Sequence, residues 1–409
     1  MDKHLGVYVH IPFCASKCHY CDFYSLPGCE KQMPRYQQAL LRHIRESAPV
    51  MEPYYVDTLY FGGGTPSYYG AARITELFAA LKRSARILKS AEVTVECNPD
   101  SVTKRSLAQL RREGVNRLSL GMQSGSDELL KILGRRHSHR QTEAAVRAAR
   151  EEGFDNLSLD LMFGLPGQSR TDWAHTLEKA ITLNPEHISC YGLQLEEGTP
   201  LYERYHDDVL LPSQDEQADM YLFAVETLGR YGYGQYEISN FAKPGFESRH
   251  NMKYWDLDDY IGFGPGAHSC VADTRYSFRR DLQDYIRAID AGESVLDEWE
   301  VLSPMERAAE YIMLGMRRGR GISGAEYHRI YRSDFEPIET LLKDYERRGW
   351  ARFLDGRWAF TPSGFLLSNV LIGSLLEAQA ACRGGTLFDE ADCRIDPDTI
   401  RVPAGGEVY

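Results

Sequence analysis

Gly6-Val7-Tyr8-Val9-His10-Ile11-Pro12-Phe13-Cys14-Ala15-Ser16-Lys17-Cys18-His19-Tyr20-Cys21 is the stretch from which the rest of the chain is read. Its first half, rich in β-branched and aromatic residues, predicts a strand over 6–11. Its second half carries three of the chain's nine cysteines within eight residues; the others are Cys29, Cys97, Cys190, Cys270, Cys382 and Cys393. An odd number excludes a fully paired disulfide set within one chain, and clustered thiols in a reducing compartment more often bind metal or react. Three thiolates on one tight loop suit three irons of a [4Fe-4S] cube and leave the fourth iron open to a small molecule. A zinc site is the rival reading, with His10 or His19 as fourth ligand. The six scattered cysteines read as small buried residues or surface thiols.

Moving outward, the strand at 6–11 is the first of six. Further β-rich runs lie at 56–62, 92–97, 117–122, 156–162 and 187–193, separated by helical stretches such as 73–84, 104–113, 141–152 and 170–183. Strand and helix in alternation imply right-handed crossovers and a parallel sheet. Six such units give an α/β fold, a partial (β/α)6 barrel, whose chemistry sits at the C-terminal ends of the strands. Unusual residues gather there: the cysteines after the first strand, Gly62-Gly63-Gly64-Thr65-Pro66 after the second, Glu96 and Asn98 at the third, Gln123 at the fourth and Asp160 on the fifth.

Beyond residue 235 the texture becomes polar and aromatic with little clean periodicity, and helical patterns return from about 303. Three helices, a turn at Asp355-Gly356 followed by Trp358, and a last helix resemble a small winged-helix fold. The reading is therefore 1–235 for the barrel, 236–300 for a connecting region, 301–380 for the winged-helix-like domain and 381–409 for a polar tail expected to be poorly ordered.

The 409 residues include 47 Lys and Arg against 59 Asp and Glu, a formal charge of −12. That balance removes the general pull toward phosphate backbones, so no nucleic acid is expected, even with a winged-helix-like segment. No apolar run approaches the roughly 20 residues of a membrane helix, and the N-terminus lacks the pattern of a secretory signal. A cytoplasmic location is expected, peripheral at the membrane only through an acceptor.

The cysteine spacing, on a loop after a first strand and with an aromatic residue before the last cysteine, resembles the radical S-adenosylmethionine (radical SAM) superfamily. The glycine-rich stretch one strand later is similar to that family's element for the methionine amine and carboxylate of SAM. Within the superfamily the chain resembles the oxygen-independent coproporphyrinogen III oxidase-like family, which holds those oxidases and the heme chaperones related to them. The resemblance runs through Tyr8 to Cys14, Phe61 to Pro66, Glu96 to Asp100, Leu120 to Gln123, Arg135, Asp160 to Pro166 and Tyr236 to Phe241. It implies a [4Fe-4S] cluster on Cys14, Cys18 and Cys21. It also implies SAM contacts from Tyr8, Gly63, Gly64, Thr65 and Glu96, and further SAM or second-ligand contacts from Gln123, Arg135 and Asp160.

Two features divide the chaperones from the oxidases. The oxidases carry a further cysteine two residues past the cluster, where this chain has Phe23. The chaperones show His-Asn-x-x-Tyr-Trp, and this chain has His250-Asn251-Met252-Lys253-Tyr254-Trp255. An imidazole can bind heme iron and aromatic rings can cover a porphyrin face, so His250 is the expected heme ligand and His268 a second candidate. The implied function is heme binding and transfer to heme-requiring proteins, membrane-bound respiratory enzymes in particular, with a homodimer as a further expected association. The alternative is the oxidase reaction, the oxidative decarboxylation of coproporphyrinogen III to protoporphyrinogen IX.

Overall fold

The computed structural model describes residues 3–207 and 210–381. Six parallel strands, β1 (Lys3–Ile11), β2 (Tyr54–Gly63), β3 (Arg86–Cys97), β4 (Arg117–Gln123), β5 (Leu157–Phe163) and β6 (His187–Gly192), lie side by side in chain order. Between successive strands run helices, the longest being α1 (Met33–Glu46), α2 (Ala71–Ser84), α3 (Lys104–Glu113), α4 (His139–Glu151) and α5 (Arg170–Thr182). The sheet stays open: its strand order runs from one free edge to the other.

Alternation along the strands explains why. Val7, Val9, Leu59, Phe61, Val93, Val95, Leu118, Leu120, Leu159, Leu161 and Ile188 are fully or almost fully buried in one core with Leu40, Leu77, Leu81, Leu107 and Trp173 of the helices. The intervening positions are Tyr8, His10, Tyr60, Glu96, Arg117, Ser119, Asp160, His187 and Ser189. A closed barrel fills its interior with layers of branched apolar side chains. Here the interior positions are polar, and the strands enclose a cavity.

The stretch 236–300, read as a connecting region, supplies strands to both sides of this sheet. β7 (Asn240–Ala242) pairs antiparallel with β6, while β8 (Tyr260–Phe263) pairs parallel with β1 and leads through β9 (His268–Val271) and β10 (Thr274–Phe278) to the edge strand β11 (Leu296–Val301). Between β7 and β8 lies α6 (Arg249–Asp256), which carries the His-Asn-x-x-Tyr-Trp motif. The C-terminal part has α7 (Pro304–Gly315), α8 (Gly324–Tyr331), α9 (Glu336–Arg347), a hairpin of Ala351–Leu354 with Arg357–Phe360, and a final helix Ser368–Ala381. Of the tail 381–409, all but Ala381 lies outside the described residues, as do Cys382 and Cys393.

Candidate cofactor-binding site

The cysteine loop is held at both ends. Phe13–Cys14 forms a two-residue parallel pairing with Leu26–Pro27, and the Leu26 amide donates to the Pro12 carbonyl at 2.6 Å. In the middle, the His19 amide donates to the Leu133 carbonyl and the Cys21 amide to the Cys18 carbonyl. Beneath the loop, the Phe13 ring stacks on Tyr69 at 5.4 Å and meets Tyr36 edge-on. Cys14 Sγ lies 3.3 Å from Thr65 Oγ1, and Cys21 Sγ lies 4.0 Å from Ser25 Oγ. Burial pushes the Cys14 and Cys18 thiols up, an effect that Thr65 opposes at Cys14 and Arg135 at Cys18.

The two histidines of the zinc reading face elsewhere. His10 Nε2 is 2.9 Å from the Tyr24 carbonyl and its Nδ1 is 3.1 Å from the Tyr8 hydroxyl, while His19 Nδ1 meets the Ile132 carbonyl. Among the described residues no three His, Cys, Asp or Glu side chains converge as on a single ion.

The glycine run packs against this loop. Gly64 and Thr65 donate their amides to the Ile11 and Phe13 carbonyls at 2.7 and 2.9 Å. A Cβ on Gly64 would sit 2.9 Å from both carbonyl oxygens, and one on Gly63, at φ +111°, would sit 2.6 Å from the His10 ring. The chain's own backbone thus requires glycine at these positions.

Glu96 follows at the end of β3. It accepts from the Tyr60 hydroxyl at 2.8 Å and the Gly63 amide at 3.1 Å, yet burial pushes its carboxyl up to about 7. Asp160 accepts from Ser119 and Ser189 at 3.2 and 2.9 Å, and burial raises its carboxyl too. Arg135 donates to Asn98 Oδ1 at 2.9 Å and to the Tyr20 hydroxyl, which ties it to the cysteine loop. Gln123 is buried at φ 60°, just after a register break in β4. A non-glycine residue held there points to a site whose geometry is imposed by its surroundings.

Cys14, Cys18, Cys21, Gly63, Gly64, Thr65, Glu96, Gln123, Arg135 and Asp160 therefore line one cavity of about 410 Å³. Tyr8 lies beside it, on a neighbouring cleft of about 620 Å³ that shares Phe23, Gly63 and Glu96 with the cavity. His250, expected to face a heme, is placed differently. It is 1% exposed, with Nδ1 2.9 Å from Thr58 Oγ1 and Nε2 2.8 Å from the Tyr254 hydroxyl, so neither ring nitrogen is free. Burial lowers its pKa to about 3, which keeps it neutral. The physical reason is the start of α6, where the His250 and Arg249 amides donate to Glu92 and hold the imidazole beneath the sheet interior. Trp255 lines a separate cleft beside α7, with Tyr254, Arg275 and Arg307. His268 is exposed on the 620 Å³ cleft, and its ring has no hydrogen bond or ion pair with a described residue.

Sequence reading missed Tyr60, Arg117, Ser119, Ser189 and Asn251 in the cavity wall. The signal for four of them is present in the sequence: polar side chains alternate with apolar ones inside the β-rich runs.

The chain matches the Radical SAM superfamily over residues 8–180 and the HemN C-terminal domain over residues 302–367. It is 36% identical to the heme chaperone HemW of Bacillus subtilis (strain 168) over 378 residues, 91% of this chain and 99% of that protein. It is 39% identical to the heme chaperone HemW of Escherichia coli (strain K12) over 269 residues, 65% of this chain and 70% of that protein. In fold it superposes on the coproporphyrinogen III oxidase HemN from Escherichia coli, a radical SAM enzyme. The TM-score is 0.81 at 24% identity, covering 91% of this chain and 90% of that one.

Proposed function

We infer, from a chain that belongs to the HemW family of radical SAM proteins, that it binds heme and delivers it to heme-requiring proteins, with a [4Fe-4S] cluster and SAM as cofactors. The observation that carries this is identity above 30% to a named heme chaperone over almost its whole length. The oxidase alternative is not favoured: Phe23 stands where those enzymes carry a further cysteine, and the likeness to HemN, at 24% identity, is one of fold.

The residues present fit the cofactors. Three thiols share a loop pinned at both ends, and a polar cavity opens directly above it. Cys14, Cys18 and Cys21 would hold the cluster. Thr65, placed to donate to Cys14, Gly63 and Gly64 with their close backbone approach, and Glu96, Gln123, Arg135 and Asp160 would surround SAM, with Tyr8 supporting from the adjoining cleft. When bound, cluster and SAM supply one-electron chemistry; the protein's share is to orient them and keep water out.

For heme, ligation by His250 would require Thr58 and Tyr254 to release the ring. His268 requires no such release, and its cleft is walled by Phe23, 73% exposed, with Tyr24, Tyr254 and Tyr260. We therefore place the iron at His268. Cluster thiols that must stay reduced favour the cytoplasm, and the acceptors would be membrane-bound respiratory enzymes met from that side; no helix among the described residues is long and apolar enough to cross a membrane. The exposed Trp299 and Val301 of edge strand β11 mark where a homodimer would form.

Anaerobic reconstitution followed by heme titration tests this. The wild type should bind heme and form no protoporphyrinogen from coproporphyrinogen III. His268→Ala should change the ferric-heme electron paramagnetic resonance signal, restored by added imidazole, while His250→Ala keeps it. Turnover of coproporphyrinogen III would overturn the chaperone reading, and an unchanged signal in His268→Ala would overturn the ligand.

A further inference from the structure

Arg117 opens β4, and with Leu118, Leu120 and Met122 committed to the helix side its guanidinium belongs to the polar interior. The residue is 1% exposed and lines the floor of the 410 Å³ cavity with Ser119, Asp160, His187 and Ser189. Its side chain has no hydrogen bond and no ion pair with any described residue, and its Nε is buried without a partner. A buried charge is costly unless paired, so the surroundings should contain its counter-charge.

Glu96 and Asp160 feel its charge, but no carboxylate meets it directly: Glu96 is engaged by Tyr60 and Gly63, Asp160 by Ser119 and Ser189, and Glu92 by the first amides of α6. Burial also raises Glu96 and Asp160 toward their neutral forms, which further weakens them as counter-ions. His187 and His250, the other interior rings, are both held neutral by burial. What remains is a planar fork of donors at the bottom of an open cavity, a geometry that matches a carboxylate in bidentate contact.

We propose that Arg117 is a carboxylate-recognition residue, receiving at the cavity floor the carboxylate of a bound small molecule. This rests on the function proposed above: the methionyl carboxylate of SAM belongs to the glycine run and the cluster, which leaves a propionate of heme, entering from the adjoining cleft, as the group for this depth. Neither the cysteine loop nor the glycine run reaches this depth; Arg117 pairs in register with Thr94, two residues before Glu96 on the neighbouring strand.

The test measures affinities of the full, reconstituted chain for four probes: heme, heme dimethyl ester, SAM and decarboxylated SAM. The wild type should bind heme at least tenfold more tightly than heme dimethyl ester. In Arg117→Gln the affinity for heme should fall by the same factor and the difference within the pair should vanish, with Arg117→Lys intermediate. A vanished heme/ester difference assigns the propionate, whereas a vanished SAM/decarboxylated-SAM difference would put the methionyl carboxylate there and overturn that assignment. Arg117→Met should raise the melting temperature of the ligand-free chain, since it removes a buried cation that no carboxylate meets directly. If Arg117→Gln binds both acids as tightly as the wild type, or loses acids and carboxylate-free partners alike, the assignment is wrong. If the wild type binds neither heme nor SAM, the proposed function itself has failed.

Discussion

Glu96 receives two hydrogen bonds, from Tyr60 and Gly63, and still has its carboxyl pushed from the usual 4.5 up to about 7, because burial outweighs them and Asp160 adds to it. Glu237 is raised to about 7 by burial as well. A carboxyl whose folded pKa exceeds its unfolded one favours the fold when protonated. Its contribution is complete below the unfolded value near 4.5 and is lost as pH rises through about 7. The cofactor-free chain should therefore show a falling melting temperature between pH 5 and 8, and Glu96→Gln should flatten part of that fall. A wild type whose melting temperature rises over the same interval would contradict the burial account. At this scale the sequence was legible where unusual residues stand at strand ends, as Glu96 and Gln123 do, or break an apolar strand, as Asp160 does. It was not legible for His250, whose role depends on Thr58 and Glu92, residues more than 150 positions away that no local pattern connects to it.

The glycine run and the cysteine loop form one packed unit, and this fixes which substitutions the elements tolerate. A Cβ at Gly64 would press on the Ile11 and Phe13 carbonyl oxygens at 2.9 Å, and backbone atoms in a paired strand cannot yield as a side chain can. Gly64→Ala should lose at least half the iron bound per chain after reconstitution while its far-ultraviolet circular dichroism stays close to wild type. Gly198→Ala is the control, at φ +79° with nothing within 4 Å of the added carbon, so it carries only backbone strain of about 1 kcal/mol and should keep its cluster. Full iron in Gly64→Ala would show that the loop is not sterically coupled to the run. The six parallel strands were readable because each spans six residues or more with apolar positions facing helices. The flanking strands were not: Asn240–Ala242 has three residues, and Tyr260–Phe263 pairs with Gly6 to Val9 across some 250 positions of chain.

Across the whole molecule, the C-terminal helices hold the open sheet's late-sequence flank to the rest of the chain. The Ile238 amide donates to the Arg317 carbonyl at 3.0 Å and the Gly319 amide to the Tyr236 carbonyl at 2.8 Å. Arg307 reaches Asp273 and the Leu257 carbonyl, Arg318 pairs with Asp256, and Glu310 on α7 accepts from Arg275 of β10 at 2.5 Å and from Arg307 at 3.3 Å. A polar-lined cavity contributes little apolar burial at its centre, so these seams carry stability that a filled barrel would gain from its interior. The two parts should therefore unfold as one, in a single calorimetric transition of the cofactor-free chain. Glu310→Ala should lower the unfolding free energy by about 2 kcal/mol, less than the 3–5 kcal/mol of a fully buried pair because Arg275 is 35% exposed. It should move that single transition as a whole. Two separate transitions, with Glu310→Ala shifting only one, would mean that the C-terminal helices are an independent module. The polar interior would then have to hold its shape through the parallel strands alone, and the three-residue strand β7 that covers β6 would be the first place to yield.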